Sequence, residues 1–121
     1  MTKMQKYSLW VAMVLIALVL LPAGGAKLAG VPQMHASFAA LGLPQWFGYF
    51  IGACEVAGAI GLFIKPLSSL AAAGISIIML GALYFHATHT PLAQGIPALL
   101  VLLLSLFVIY RRRASLVAST A

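Results

Sequence analysis

The chain has 121 residues, 64% hydrophobic and 7% charged, with a formal net charge of +6 and a mean hydropathy of +1.11. Soluble domains run near 45–50% apolar and about 25% charged, and so short a chain has too much surface to hide such an excess in a globular core. The composition excludes a soluble enzyme and points to the bilayer. The basic residues stand in small groups at the ends of apolar runs, without interleaved aromatic rings, which excludes a nucleic-acid surface.

About 20 helical residues cross roughly 30 Å of hydrocarbon. Four stretches reach that length, and they predict an all-α integral membrane four-helix bundle forming one transmembrane domain. The first covers about residues 7–26. Its start is signal-like, but the apolar run continues into small residues and three more runs follow, so it reads as a span. Pro22 removes the bond to the carbonyl of Leu18, which predicts a kink and a loosened "PAGGAKLAG" beyond it. In the long connection that follows, Met34, Phe38 and Leu41 recur at steps of four and three. They predict a short interfacial helix after Pro32, either a connector or a lid over a cavity, with His35 and Ser37 elsewhere on it.

The second span, about residues 44–64, opens at Pro44 in "GLPQWFGYF". Gly48 and Gly52 stand four apart, and Glu55 and Ala59 continue that face, so the stripe is expected to meet neighbouring helices. Gly25, Ala26 and Gly30 in the first run, and Gly74 and Gly81 in the third, are the expected close-contact residues there. The third span covers about residues 66–86. The fourth covers about 91–110, with Thr90 as its expected N-cap and Pro91 as its first helical residue. A basic tail, residues 111–121, ends in a stretch that reads as frayed.

With four spans, the N-terminus, the second connection and the C-terminus share one face. These segments hold Lys3, Lys6, Lys65 and Arg111 to Arg113, six of the seven basic residues. The positive-inside rule assigns that face, and both termini, to the cytoplasm. A multi-pass protein of a cytoplasmic membrane is expected, with lipid as its surroundings.

Glu55 is the only acidic residue of the chain. It lies about 16 Å along its helix from Pro44, near mid-membrane. Ionised and alone there, it would destabilise the fold by at least ~2.5–3.5 kcal/mol. It must stay neutral or find a cation. Lys27 is the one basic residue outside the cytoplasmic set, and a pair at 4 Å gains about 4 kcal/mol at an effective dielectric of 20. Lys27 stands ~30 Å along its helix from Tyr7, so contact requires it to reach inward, directly or through a water.

His86 and His89, three apart, share a face at the outer end of the third span, with Tyr84 nearby and His35 on the connection at the same side. His86 is the candidate acid–base partner of Glu55. His35 and His89 read as ligand-binding or as interfacial polar residues. No HExxH pattern or cysteine support accompanies them, so no metal is expected. Cys54 is the lone cysteine; it reads as a small apolar residue and excludes dithiol chemistry. Trp46, Phe47, Tyr49 and Phe50 gather at the outer start of the second span, as an interfacial belt or as walls for an apolar ring. No Walker loop, dinucleotide fingerprint or nucleophile elbow is present.

"LLPAGGAKLAG", "GLPQWFGYFIGACEVAGAIGLFI" and "GALYFHATH" together resemble the DoxX-like family of small bacterial membrane proteins. The resemblance covers nearly the whole chain, and its most specific parts surround Lys27 and Glu55. It implies a four-helix bundle in the cytoplasmic membrane and a link to membrane redox systems, since one relative is a subunit of a thiosulfate:quinone oxidoreductase. It implies as well a membrane or redox protein partner, and oligomer formation stays open.

Three functions follow as expectations. The first is an accessory subunit binding a quinone-like or other apolar small molecule at Lys27, Glu55 and His86. The second is a cofactor-free enzyme, an isomerase, cyclase or epoxide-opening enzyme, using Glu55 and His86 as an acid–base pair on a lipidic substrate. The third is a structural subunit in which Lys27 and Glu55 lock two helices in register.

Overall fold

A computed structural model describes residues 2–113; the expected frayed end beyond them lies outside the described residues. These residues are all-helical: α1 (Lys3–Leu28), α2 (Pro32–Ala40), α3 (Phe47–Gly61), α4 (Ser68–His89) and α5 (Ile96–Arg111). Two 3-10 turns, Lys65–Leu67 and Leu92–Gly95, lead into α4 and α5. Three stretches, Lys3–Leu28, Lys65–His89 and Leu92–Arg111, are long and apolar enough to cross a membrane, and Phe47–Gly61 is a shorter apolar helix. The chain is a four-helix membrane bundle with α2 as a fifth, short element.

The helix ends differ from the sequence expectation for local chemical reasons. α1 begins at Lys3 because Thr2 and Gln5 form a reciprocal cap: the Gln5 N–H donates to Thr2 Oγ1 at 3.2 Å, and the Thr2 N–H donates to Gln5 Oε1 at 3.0 Å. It continues through Pro22 to Leu28, so the expected loosening of "PAGGAKLAG" does not occur and Lys27 belongs to the last helical turn. α3 is shorter than its apolar run, 15 residues or about 22 Å. A turn closed by the Phe47 N–H on the Pro44 carbonyl precedes it. Thr90 does not start the last span. It is extended (φ −137°, ψ 168°) and ends α4, its N–H reaching the His86 carbonyl at 3.3 Å. α5 then begins at Ile96, with a proline in its first turn.

α1 buries one stripe, Leu9, Ala12, Met13, Ile16, Ala17, Leu20 and Gly24, spaced three, one and four apart as one helix face requires. Against it pack Leu62 after α3, Ala72, Ile75 and Met79 of α4, and Val101, Leu102 and Val108 of α5. Leu18, Ile77, Leu80, Leu100 and Leu103 face outward, where acyl chains are their natural cover.

The helices run antiparallel in order, as their end contacts show. Trp10 meets Phe63 at one end while Gly24 meets Gly52 toward the other; Ser69 donates to the Arg112 carbonyl while Gly95 approaches His86. Lys6, Lys65 and Arg112 accordingly line one cavity at one end of the bundle, and Lys27, His86 and Gln94 border another toward the opposite end.

Candidate functional site

The site starts from glycine. α3 buries Gly48, Gly52, Glu55, Ala59 and Gly61, the stripe expected from the sequence. At the crossing with α1, a Cβ on Gly24 would stand 2.8 Å from the Gly52 carbonyl, and one on Gly52 would stand 2.7 Å from Lys27 Cβ and 2.9 Å from the Gly24 carbonyl. The two backbones touch, which is how helices associate when lipid removes the hydrophobic drive. The expected partner residues were displaced by one: Gly24 makes the contact, while Gly25 faces open space. Gly74 and Gly81 also face open space, and the approach of α3 to α4 is made by α3's own Gly58 and Gly61, against Ile75 and Ala71.

This crossing sets the ion pair. Lys27 and Glu55 each lie three residues beyond their contact glycine, on helices running in opposite directions, about 9 Å apart along the axis. Helical side chains lean toward their own N-terminus, so these two lean toward each other. Lys27 Nζ comes within 2.8 Å of Glu55 Oε1, with the side chains 12% and 4% exposed. The contact is direct, and no long descent of Lys27 is needed, because α3 begins beyond the end of α1. The buried Oε1 has the Lys27 ammonium as its partner, so a nearly dry ion pair stands at this crossing.

Glu55 and Lys27 border a cavity of about 620 Å³, within the range of small-molecule sites. α3 contributes Phe47 and Ile51 to its wall, α4 contributes Ile78, Met79, Tyr84, Phe85 and His86, and α2 with its flank contributes Gln33, Met34, Ser37, Phe38 and Leu41. The short helix thus forms one side of the cavity. Ser37, expected to point elsewhere, is on the wall. His86 is fixed at the rim: its Nδ1 lies 2.9 Å from Thr90 Oγ1, and that hydroxyl reaches the His86 carbonyl at 3.1 Å. Thr90 and Gln94 extend the polar rim.

Of the expected ligand-binding residues, Tyr84 is on the wall, whereas Trp46, Tyr49, Phe50, His35 and His89 are not among the lining residues. Trp46, Tyr49 and Phe50 are exposed, a quarter to a half turn away from the Phe47–Ile51–Glu55 face. His89 stacks on Phe85, rings 5.0 Å apart. His35 supports the site from behind. A carbonyl only accepts, so His35 Nε2 carries the proton and donates to the Lys27 carbonyl at 2.8 Å. Its ring lies 4.5 Å from that of Tyr49 and against Gly48, where a Cβ would run into it. Among the described residues, no three of His, Cys, Asp or Glu gather as a metal site would require.

Phe47 is the one member of the expected aromatic cluster on the wall, and the sequence held a signal for the missed Ile51: Phe47, Ile51 and Glu55 are four apart, so they share a helix face. A family model described as the DoxX-like family matches residues 11–108. The chain belongs to the DoxX-like family. No curated relative and no solved structure matches it. The matched segment contains both glycine crossings, the ion pair and every residue of the cavity wall.

Proposed function

We propose that this DoxX-like protein binds an amphipathic molecule, with a large apolar body and a hydrogen-bonding ring, between its short second helix and its third and fourth helices. A quinone-like ligand fits best, and the protein then serves as an accessory subunit of a membrane oxidoreductase system. The observation that carries the reading is the nearly dry Lys27–Glu55 ion pair on the wall of an otherwise mainly apolar cavity. A quinone carbonyl takes a hydrogen bond from Lys27; a quinol hydroxyl donates one to Glu55. Both redox forms find a partner without any rearrangement of the backbone. Phe38, Phe47 and Phe85 supply apolar faces for the ring. The site belongs in a bacterial cytoplasmic membrane, basic end inside, as the charge pattern indicates.

Titration of the purified protein in lipid nanodiscs with ubiquinone and menaquinone tests this. Saturable binding is expected, weakened at least about tenfold in Glu55→Gln, the loss of one charge-assisted hydrogen bond, with folding checked in parallel. Absence of binding by either quinone removes the reading. Recovery of a redox protein with the wild type in mild detergent tests the accessory role.

A second reading has its own support, because Glu55 and His86 border the same cavity and could move a proton on a lipidic substrate. Undiminished turnover of a candidate substrate by both Glu55→Gln and His86→Ala removes it.

A further inference from the structure

The cavity beside the ion pair has one side that the bundle does not close. α3 and α4 are in close contact toward the basic end, where a Cβ on Gly58 would stand 3.0 Å from Ile75 Cγ1 and one on Gly61 would stand 3.1 Å from Ala71 Cβ. Toward the other end the cavity lies between them, bordered by Phe47 and Ile51 of α3 and by Ile78, Ala82 and Phe85 of α4. These three residues of α4 are half-buried and form its inner face. Ile77, Gly81 and Tyr84 border the same cavity, yet they stand on a different face of α4, at steps of four and three. That face is outward: Ile77 is 71% and Tyr84 61% exposed, and Gly81 is exposed between them. The cavity therefore continues past the edge of α4 onto surface that acyl chains cover. Gly81 leaves a notch there, since nothing lies within 4 Å of where its Cβ would stand.

We propose that this notch is the path by which the apolar tail of the bound molecule leaves the cavity for the bilayer, so that the ligand is a tail-bearing lipid and not a detached ring. The proposal rests on the reading of the cavity as a site for a quinone-like head, and it specifies what that head carries. Counting in opposite directions from the Gly58–Ile75 contact puts Glu55 level with Ile78, and Gly81 one turn beyond it, about 4.5 Å along the axis. A substituent on a ring held at Lys27 and Glu55 reaches the notch over that distance. A polar substituent would lose its water there, whereas an apolar tail exchanges one hydrocarbon surrounding for another. Gly81 is then a specificity-determining position: a side chain at Gly81 obstructs the tail and leaves the ion pair untouched.

The test titrates nanodiscs with ubiquinone, which carries an isoprenoid tail, and with dimethoxy-methylbenzoquinone, the same ring without one. Affinities are expressed against the concentration inside the disc, so that partitioning into lipid cancels. Gly81→Leu is expected to lower the ratio of ubiquinone to tail-less affinity by about tenfold, the scale of one overpacked contact. Gly74→Leu enters open space on the same helix but outside the cavity lining, and is expected to keep the wild-type ratio. An unchanged ratio in Gly81→Leu, or an equal fall in both variants, overturns the tail path and leaves the head site standing. Failure of the wild type to bind either compound removes the head site and the tail path together. Thermal unfolding checks that the variants fold, and the unaltered protein supplies a second measurement. A ubiquinone analogue with a photoreactive diazirine on its tail, close to the ring, is expected to label residues 77–84, and excess ubiquinone to suppress that labelling. Suppressible labelling confined to α2 overturns the proposal. So does labelling of residues 77–84 that excess ubiquinone leaves unchanged, which would mean that ordinary acyl chains fill the notch.

Discussion

At the residue scale, Lys27 and Glu55 form a nearly dry pair, and dry pairs are asymmetric in their energetics. Removing one partner strands a buried charge, at a cost of about 3–5 kcal/mol, whereas removing both is often close to neutral. Lys27→Met alone is therefore expected to destabilise by about 3 kcal/mol, and Lys27→Met/Glu55→Leu to regain most of that, as measured by thermal unfolding in detergent. A double variant that folds yet binds no ligand marks the pair as a site; one that keeps function marks it as a strut. His35 acts through the backbone. Its loss in His35→Ala removes a hydrogen bond to the Lys27 carbonyl, worth about 1 kcal/mol, and is expected to weaken ligand binding without touching the ligand.

At the element scale, the crossing of α1 and α3 is set where glycine meets glycine. A methyl group on Gly24 or Gly52 would collide with backbone atoms 2.8–2.9 Å away, which cannot yield as a flexible side chain can. Gly52→Ala is expected to separate the helices and destabilise by about 1–3 kcal/mol. Gly74→Ala and Gly81→Ala enter open space and are expected to be neutral or slightly stabilising, by up to about 1 kcal/mol from helix propensity. Denaturation midpoints of the three variants, compared side by side, decide this. If all three behave alike, close backbone contact is not what joins α1 to α3. α2 is a different kind of element. It buries none of its residues fully and is held by the His35 bond to α1 and by the Phe38–Phe47 contact, ring centroids 5.6 Å apart, so it is the element best able to admit a ligand.

For the whole molecule, an even number of crossings puts Lys3, Lys65 and Arg112 together, and the basic cavity shows this convergence for Lys6, Lys65 and Arg112. Orientation follows from the positive-inside rule. With Cys54 replaced by alanine, single cysteines at Lys3→Cys and Lys65→Cys are expected to resist an impermeant maleimide in intact spheroplasts. Thr88→Cys, exposed toward the opposite end, is expected to react. The reverse pattern would invert the protein and move the proposed ligand cavity to the inner half of the membrane.

Hydropathy and charge placement by themselves determined the class, the number of crossings and the shared basic end, because each reflects only which solvent a segment tolerates. The small-residue stripe of α3 was legible too, since one helix's periodicity defines its own face. What the tertiary structure decided is what meets that face. Gly24 rather than Gly25 stands opposite Gly52, because rotation of α1 is fixed by its whole buried stripe and not by its glycines. The cavity wall is Phe47 and Ile51 rather than Trp46, Tyr49 and Phe50, because about 100° of helix per residue separates neighbours that look clustered in sequence. The support of Lys27 by His35 joins α2 to α1 through a single hydrogen bond. No local pattern encodes such a bond; it exists only once the two helices have been brought side by side.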